Sequence, residues 1–247
     1  MTIASLESTA RGLQSRLGNA TPARVLAAAA RDLFPGRVAV VSSFGAESAV
    51  LLHLVATVDR ATPVLFVDTG RHFDETLRYR ETLVAHLGLT DLRVVGPSVG
   101  EANRLDPDLS RATWDPDGCC AFRKVAPLRR ALVDFDAWIS GRKRFQADTR
   151  QALGVFEADA PHIKINPLAS WSAADLAAYA SDHRLPAHPL VARGYLSIGC
   201  APCTTPVRPG EDVRAGRWRA LDKIECGMHR PPQSIQHDQL DTKAYRS

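Results

Sequence analysis

Short runs of aliphatic residues alternate along this chain with longer segments in which apolar positions recur every three or four residues. The short runs are typical of buried parallel strands, and they lie at 37–43, 62–69, 91–97, 136–141 and 162–168. The longer segments predict helices at 21–34, 47–58, 73–88, 122–133 and 172–183. Thr21 and Ser172 are suited to cap the first and last of these helices, and Gly88 ends the third.

The alternation of strands and helices predicts an α/β fold with a doubly wound, mainly parallel sheet covered on both faces. In such a sheet the ligand crevice lies beyond the carboxyl ends of the strands. Three loops directly follow predicted strands, and we expect them on that rim: SSFGAES (42–48), DTGRHF (68–73) and SGRKRFQ (140–146). From about residue 186 the periodicity fades and Pro, Gly and Arg become frequent, which predicts a loop-rich C-terminal region.

Composition narrows the function without changing this fold. The 247 residues are 45% hydrophobic, enough for one sizeable domain, and no apolar run approaches the length of a membrane span. The first twenty residues contain no apolar segment, so we expect no secretory signal and a cytoplasmic protein. The net charge of +4 suits an anionic small molecule. The charges are dispersed and aromatic residues make up only 6%, which disfavours a nucleic-acid partner.

Four of the five cysteines occur as two close pairs, in a chain expected in a reducing compartment where structural disulfides are uncommon. Cys119 and Cys120 are adjacent, and the side chains of neighbouring residues do not easily bridge. Cys200 and Cys203 form a Cys-x-x-Cys pair before a stretch that is a poor helix, which favours metal ligands over a thioredoxin-type redox pair. Four thiols suit zinc or an iron–sulfur cluster, and the spacing does not separate these two. The alternative is four unrelated thiols.

The fifth cysteine, Cys226, stands apart from both pairs in the C-terminal region. Lys223 and His229 are close in sequence and favour a thiolate, whereas Glu225 opposes it. Cys226 is therefore a candidate nucleophile, and an incidental surface thiol is the alternative.

Small residues and arginines indicate an anion site on the predicted rim. Ser42 and Gly45 lie in a strand-to-helix loop that lets backbone amides approach an anion, although no Walker A or Gly-x-Gly-x-x-Gly pattern is present. Asp68 and Thr69 follow the next strand and are positioned for a ribose or a base. Guanidinium groups match phosphate and sulfate oxygens. The candidate arginines are Arg150, Arg214 and Arg217. The alternatives are a tight turn without a ligand and a solvated basic face.

In combination these motifs resemble the assimilatory sulfonucleotide reductases, specifically the iron–sulfur type that reduces adenosine 5′-phosphosulfate. The matching stretches extend from about residue 38 to residue 229: SSFGAES, DTGRHFDET, CCAFRKVAPL, GYLSIGCAPCT, GEDVRAGRW and ECGMH. The resemblance implies an adenine-nucleotide α-hydrolase-like fold. It also implies a nucleotide- and cluster-binding domain at 1–205 and a C-terminal segment at 206–247 that carries the catalytic cysteine.

The resemblance further implies roles for individual residues. One [4Fe–4S] cluster per chain would be bound by Cys119, Cys120, Cys200 and Cys203. Cys226 matches the catalytic cysteine of the family. The family's substrate contacts are matched by Lys124, Arg150, Arg214, Arg217 and His229, and Lys124 would lie between the cluster and the substrate.

The implied reaction is the reduction of adenosine 5′-phosphosulfate to sulfite and AMP in sulfate assimilation. Cys226 would form an S-sulfocysteine, thioredoxin or glutaredoxin would act as reductant, and the family is compatible with a homo-oligomer. The nearest alternative substrate is 3′-phosphoadenosine 5′-phosphosulfate, although reductases of that class usually lack the four cluster cysteines. An ATP-consuming pyrophosphatase and a zinc module without activity are further alternatives. Two departures, Ser48 where many relatives have Asp and GRKR at 141–144, bear on the nucleotide contacts.

Overall fold

A computed structural model of the chain describes residues 2–219, 221, 223 and 225–229. The C-terminal segment predicted at 206–247 continues past residue 229 into positions that lie outside the described residues. Within the described part, no helix combines the length and the apolar character needed to cross a membrane.

The strands of the described residues form a single sheet. Their bounds are β1 Val38–Ser42, β2 Val64–Val67, β3 Leu92–Val95, β4 Ala137–Ile139, β5 Phe156–Asp159 and β6 His162–Ile165. The order across the sheet is β3–β2–β1–β4–β6–β5, with parallel pairing everywhere except between β5 and β6. This confirms the predicted doubly wound, mainly parallel sheet. The chain reverses its direction of winding between β1 and β4, which is where a ligand crevice is expected.

Helices cover both faces of this sheet. Their bounds are α1 Ile3–Leu17, α2 Pro22–Ala28, α3 Ser48–Val58, α4 Asp74–Leu87, α5 Val99–Leu105, α6 Arg111–Trp114, α7 Pro116–Cys120, α8 Ala126–Ala131 and α9 Ala173–Asp182. A π-helical turn at Ala29–Leu33 extends α2, and a second one at Ala121–Val125 joins α7 to α8. Such turns often mark functional positions in helices, and the second one carries Lys124.

The pattern of the sequence does not predict α1, β5 or the short helices α5, α6 and α7. Of these elements, α1 and β5 pack against each other. Helix α1 buries Leu6, Ala10 and Leu13, which recur at helical spacing within an otherwise polar stretch. Strand β5 fully buries only Phe156, so its apolar signal is weak. The side chain of Gln14 on α1 accepts a hydrogen bond from the Phe156 amide at 3.0 Å. The predicted fifth strand is therefore the sixth, and the sheet has an antiparallel edge.

Two apolar cores hold the strands from opposite faces. The main core packs α2, α3, α4 and α9 on one face and includes Leu26, Leu52, Leu83 and Leu176. The smaller core lies on the other face, where Leu128 of α8 and the following Leu132 pack near Trp138 of β4. Burial of large aliphatic and aromatic side chains on both faces fixes the strand ends. The loops beyond those ends are therefore carried by rigid elements.

Candidate active site

The loop between β1 and α3 is held in a constrained conformation. The Ser42 hydroxyl accepts a hydrogen bond from the Phe44 amide at 3.1 Å. Phe44 has a φ of 48°, in the left-handed region, and its buried ring packs edge-on against Phe66 at 5.6 Å. A Cβ on Gly45 would lie 3.1 Å from the carbonyl oxygen of Ile198, so a larger residue would crowd this close approach. The loop backbone is thus fixed against the segment that leads to Cys200.

A cavity of about 200 Å³ opens at the carboxyl edge of the sheet, beside this loop. It is bounded by the loops after β1 and β4, by the turn around Gly199, and by the C-terminal segment that contains Cys226. Among the described residues its lining includes six lysine and arginine side chains: Lys124, Arg142, Lys143, Arg150, Arg214 and Arg217. The lining carboxylates are Glu47 and Glu225. The excess of positive charge suits a ligand with several negative charges.

Glu47 neutralises one end of the cavity. Its Oε2 accepts hydrogen bonds from Lys143 Nζ and from Gln146 Nε2, each at 2.6 Å. Gln146 in turn accepts from Arg150 through its Oε1. Lys143 is only 3% exposed at its side chain, so its charge depends on this partner.

Glu225, the other lining carboxylate, pairs with Arg150 and Arg214. Arg150 donates from Nε to Oε2 at 2.8 Å and from Nη2 to Oε1 at 2.9 Å, a two-pronged contact. Arg214 Nη2 lies 3.7 Å from Oε1. Burial alone would raise the pKa of Glu225, but the charges of Arg150 and Arg214 lower it below its usual value. Glu225 is therefore a carboxylate at neutral pH.

Two cations in the cavity differ from the others. Neither Lys124 nor Arg217 forms an ion pair with a carboxylate of the described residues, and the buried Nε of Arg217 has no hydrogen-bond partner there. The guanidinium of Arg217 lies over the Trp218 ring at 4.3 Å, and it packs against Gly199. Unpaired cations that face a cavity are suited to receive an anion.

Cys226 is buried at the wall of the cavity and packs with Cys120 and Trp218. A hydrogen bond with Cys120 and then the positive charge of Lys124 lower the pKa of the Cys226 thiol, against the opposing effect of burial. Its amide donates to Glu225 Oε1 at 2.9 Å. The geometry therefore presents a sulfur with thiolate character to a cation-lined cavity, as a nucleophile requires.

The other four cysteines lie behind this wall. Cys119 and Cys120 end α7, whereas Cys200 directly precedes the short turn Ala201–Cys203 and Cys203 ends it. Burial raises the pKa of the Cys119 thiol, and the negative charge of an ionised Cys200 raises it further. Cys119 of the first pair is therefore near Cys200 of the second pair. In the described part of the chain, no three His, Cys, Asp or Glu side chains are placed to hold a single metal ion.

The surroundings of Lys124 indicate which kind of group these four thiols could bind. Lys124 is 8% exposed. Burial alone would lower its pKa, but the sulfur atoms of Cys200, Cys226 and Cys120 outweigh that effect and raise the pKa. A buried lysine surrounded by sulfur is stabilised when the sulfur atoms carry negative charge. Four thiol donors with a cation beside them fit an iron–sulfur cluster by their chemistry.

A second buried lysine anchors the turn after Cys226. Lys164 on β6 lies over the Trp138 ring at 4.3 Å and donates to the Met228 carbonyl oxygen at 3.5 Å. The His229 ring stacks on Trp138 with an interplanar angle of 11°. Burial, and then the charge of Lys164, lower the pKa of His229, so its ring is neutral at pH 7. The neutral His229 is able to donate one hydrogen bond into the cavity without adding charge.

The structure brings together most of the residues predicted from the sequence. The cavity is lined by Ser42, Gly45, Lys124, Arg150, Arg214, Arg217, Cys226 and His229, and also by Ser48. Asp68 and Thr69 follow β2 as predicted but are not among the lining residues. Asp68 accepts from the Gly70 amide at 2.8 Å, and the buried Thr69 hydroxyl lies 3.2 Å from Cys200 Sγ. Their contact with a ribose or base stays a prediction.

Several residues of the site were not predicted individually. Arg142 and Lys143 lie in the GRKR stretch, which the sequence marked only as a basic loop on the rim. Lys164 sits in an apolar strand, where a single lysine is itself a signal of a buried charge. The sequence indicates Glu225 only as a neighbour that opposes the Cys226 thiolate. Its role in binding Arg150 depends on a contact across 75 positions of the chain, which spacing does not reveal.

Comparison with known proteins places this site in context. The model of the phosphoadenosine phosphosulfate reductase domain matches residues 37–206, more than half of the chain. The chain is 53% identical over 220 residues to the adenosine 5′-phosphosulfate reductase of Mesorhizobium japonicum. The aligned residues cover 89% of this chain and 87% of that protein. It is 40% identical over 229 residues to the phosphoadenosine 5′-phosphosulfate reductase of Gloeobacter violaceus, and this alignment covers 90% of this chain and 94% of that protein.

A solved structure supports the same fold. The phosphoadenylyl-sulfate reductase of Candida auris, in a phosphate complex, superposes with a TM-score of 0.68 at 28% identity. The match covers 79% of this chain and 96% of the other. The architecture is therefore the adenine-nucleotide α-hydrolase-like fold that the family resemblance implies.

Proposed function

Because this chain belongs to the phosphoadenosine phosphosulfate reductase family, we propose that it reduces adenosine 5′-phosphosulfate to sulfite and AMP in assimilatory sulfate reduction. The observation that carries this proposal is the buried Cys226 sulfur at the wall of a cavity with six lysine and arginine side chains. A thiolate and a sulfated nucleotide are both anionic. Their reaction requires cations around the reacting atoms, and the cavity supplies them.

Binding of the nucleotide is assigned to the rim loops and the unpaired cations. The loop at 42–48 and the N-terminus of α3 face the cavity with small residues, Ser42 and Gly45, that leave room for the nucleotide. Lys124, Arg214 and Arg217 receive the phosphosulfate, and Lys124 and Arg217 are available to it at once, since neither has a carboxylate partner in the described residues. Arg150, Arg214 and His229 complete the polar wall.

Cys226 performs the transfer step. Its thiolate Sγ attacks the sulfur of the sulfate group, the bond from that sulfur to the bridging oxygen breaks, and AMP leaves with the electron pair. The product on the enzyme is an S-sulfocysteine. Lys124 and Arg217 stabilise the charge that develops on the departing phosphate oxygen.

A dithiol protein such as thioredoxin or glutaredoxin completes the turnover. One of its thiolates attacks Cys226 Sγ, the bond to the sulfonate sulfur breaks, and sulfite leaves with the electron pair. The second thiol of the reductant then attacks the mixed disulfide and restores Cys226. The two electrons thus come from the dithiol, which is oxidised to a disulfide.

We further assign one [4Fe–4S] cluster per chain to Cys119, Cys120, Cys200 and Cys203. The cysteines of α7 and of the turn at Ala201–Cys203 would hold the cluster, and it would supply negative charge beside Lys124. The protein residues then do the chemistry. We propose that the region up to residue 205 holds the cluster and most of the nucleotide site, and that the segment from residue 206 contributes Cys226 together with Arg214, Arg217 and His229.

The test is sulfite production from purified protein with reduced thioredoxin. The parent chain should release sulfite from adenosine 5′-phosphosulfate, whereas Cys226→Ser should release none. Arg219→Ala is a matched surface control, because Arg219 is exposed and bonded to Glu211 away from the cavity, and it should behave as the parent. The Gloeobacter violaceus relative motivates a second arm with 3′-phosphoadenosine 5′-phosphosulfate. Faster turnover of that nucleotide would overturn the substrate assignment.

A further inference from the structure

We propose that Glu225 is an internal anion that occupies Arg150 and Arg214 while the cavity is empty, and that the phosphate of the nucleotide replaces it there. The inference rests on the proposed function, since it needs an anionic nucleotide in this cavity. Glu225 directly precedes the nucleophile Cys226, and its carboxylate and the nucleotide phosphate would occupy the same two arginines in turn.

The carboxylate of Glu225 contacts Arg150 and Arg214 in the way that a bound oxyanion would. Both of its carboxylate oxygens receive N–H groups of Arg150, at 2.8 and 2.9 Å, and Oε1 lies 3.7 Å from Arg214 Nη2. The guanidinium fork accepts carboxylate and phosphate in the same two-pronged geometry. The carboxylate therefore stands where a phosphate group would be received.

The two carboxylates of the cavity differ in what they bind. Glu47 bonds to Lys143 and Gln146, at the side of the rim loop 140–146. Glu225 bonds to arginines that line both the main cavity and, in the case of Arg214, an adjoining one. A carboxylate carries one negative charge, whereas the phosphosulfate carries two, one on its phosphate and one on its sulfate, and the phosphate of AMP carries up to two at neutral pH. Exchange of Glu225 for phosphate on Arg150 and Arg214 is therefore favoured by charge.

The exchange reaches the nucleophile through one bond. Glu225 Oε1 also accepts the amide N–H of Cys226 at 2.9 Å. When Glu225 leaves the arginines, this bond to the Cys226 backbone is free to change with it. The turn that carries Cys226 remains attached on its other side by Lys164 Nζ, which donates to the Met228 carbonyl oxygen at 3.5 Å. Arrival of substrate is thereby coupled to the backbone position of the sulfur that attacks it.

The same exchange assists release of AMP. After sulfur transfer AMP retains a phosphate group with up to two negative charges, and Glu225 competes with that phosphate for Arg150, which limits the affinity for AMP. An enzyme without this carboxylate should bind AMP more tightly and should be inhibited by it more strongly. Glu225 acts here as a positioning residue, since it works through Arg150 and the Cys226 amide.

The experiment measures the dissociation constant of AMP by calorimetry for the parent, Glu225→Gln and Glu47→Gln. Glutamine keeps the shape of the side chain and removes its charge. Each variant removes one negative charge from the same cavity, but only Glu225→Gln removes the carboxylate that contacts Arg150 and Arg214. Loss of a competing charge-assisted contact should tighten AMP binding about tenfold or more in Glu225→Gln. The effect in Glu47→Gln should be clearly smaller.

Three outcomes would overturn the proposal. Equal tightening in both variants would mean that only the overall charge of the cavity matters. Weaker or unchanged AMP binding in Glu225→Gln would mean that Glu225 organises the arginines permanently. A crystal structure of the parent with AMP in which Arg150 keeps both bonds to Glu225 would overturn it without any variant. Failure of the proposed function is distinguishable, because it appears as absent sulfite release from adenosine 5′-phosphosulfate whatever the AMP affinities are.

Discussion

Replacement of Arg217 by alanine tests whether the cavity binds an anion through its unpaired cations. Arg217 lines the cavity, has no carboxylate partner among the described residues, and leaves its buried Nε without a hydrogen bond. Its attachments to the protein are the Trp218 ring at 4.3 Å and the packing against Gly199. The side chain is thus held in place but is not used by the fold as an ion-pair partner.

The magnitude follows from these contacts. A hydrogen bond to a charged group contributes ~1.5–3 kcal/mol, so Arg217→Ala should weaken nucleotide binding about ten- to hundredfold. The stability cost is limited to the cation–ring contact, on the order of 0.5–2 kcal/mol. Part of that loss is offset because the unpartnered Nε is removed as well.

The assay is equilibrium binding of adenosine 5′-phosphosulfate in a Cys226→Ser background, where no transfer occurs. Arg219→Ala is the matched control, since its side chain is 38% exposed and pairs with Glu211, a type of contact that contributes ~0–1 kcal/mol. Iron content should match the parent in both variants. If Arg217→Ala binds the nucleotide as tightly as Arg219→Ala does, Arg217 does not contact the anion and the reasoning is refuted.

Three further predictions concern the cysteines, a buried lysine and a close glycine. Cys119→Ser should lose iron, sulfide and the associated colour, measured by metal analysis and absorption; full iron content would contradict the cluster assignment. Burial lowers the pKa of Lys164 to about 8 from 10.5, so the unfolded chain holds this proton more tightly and stability should rise with pH between about pH 8 and 10.5. Lys164→Met should remove that rise and increase the free energy of unfolding at pH 7 by up to roughly 3 kcal/mol. Urea titrations at several pH values that give both proteins the same pH dependence of the free energy of unfolding would refute this. Gly199→Ala would place a Cβ 2.4 Å from the Arg217 guanidinium, so it should weaken nucleotide binding, though less than Arg217→Ala does, and parent-like affinity would count against that placement.

The sequence was sufficient for the architecture and for the rim on which the site lies. Buried strands with three or four apolar residues followed by a small polar residue, as at Ser42 and Ser140, indicate strand ends that meet at one edge. The weak elements α1 and β5 were not predicted, because their apolar residues are few and each is stabilised mainly by packing on the other.

The details of the site depended on contacts that no spacing shows. Thr69 stands at a strand end as predicted, yet its hydroxyl turns to Cys200, because loop conformation decides where such a side chain points. The proximity of the two cysteine pairs was expected only from the resemblance. Glu225 and Lys164 act through partners 75 and 64 positions away along the chain, so their roles became visible only in the folded protein.

The central claim is that Cys226 is the sulfur that accepts the sulfonate group. The most direct measurement is the intact and peptide mass of the protein after incubation with adenosine 5′-phosphosulfate and without any reductant. The account predicts one added SO₃ per chain, located on the peptide that contains Cys226, and its loss as sulfite when reduced thioredoxin is added. An adduct on another cysteine, or sulfite released by Cys226→Ser at the parent rate, would contradict the account.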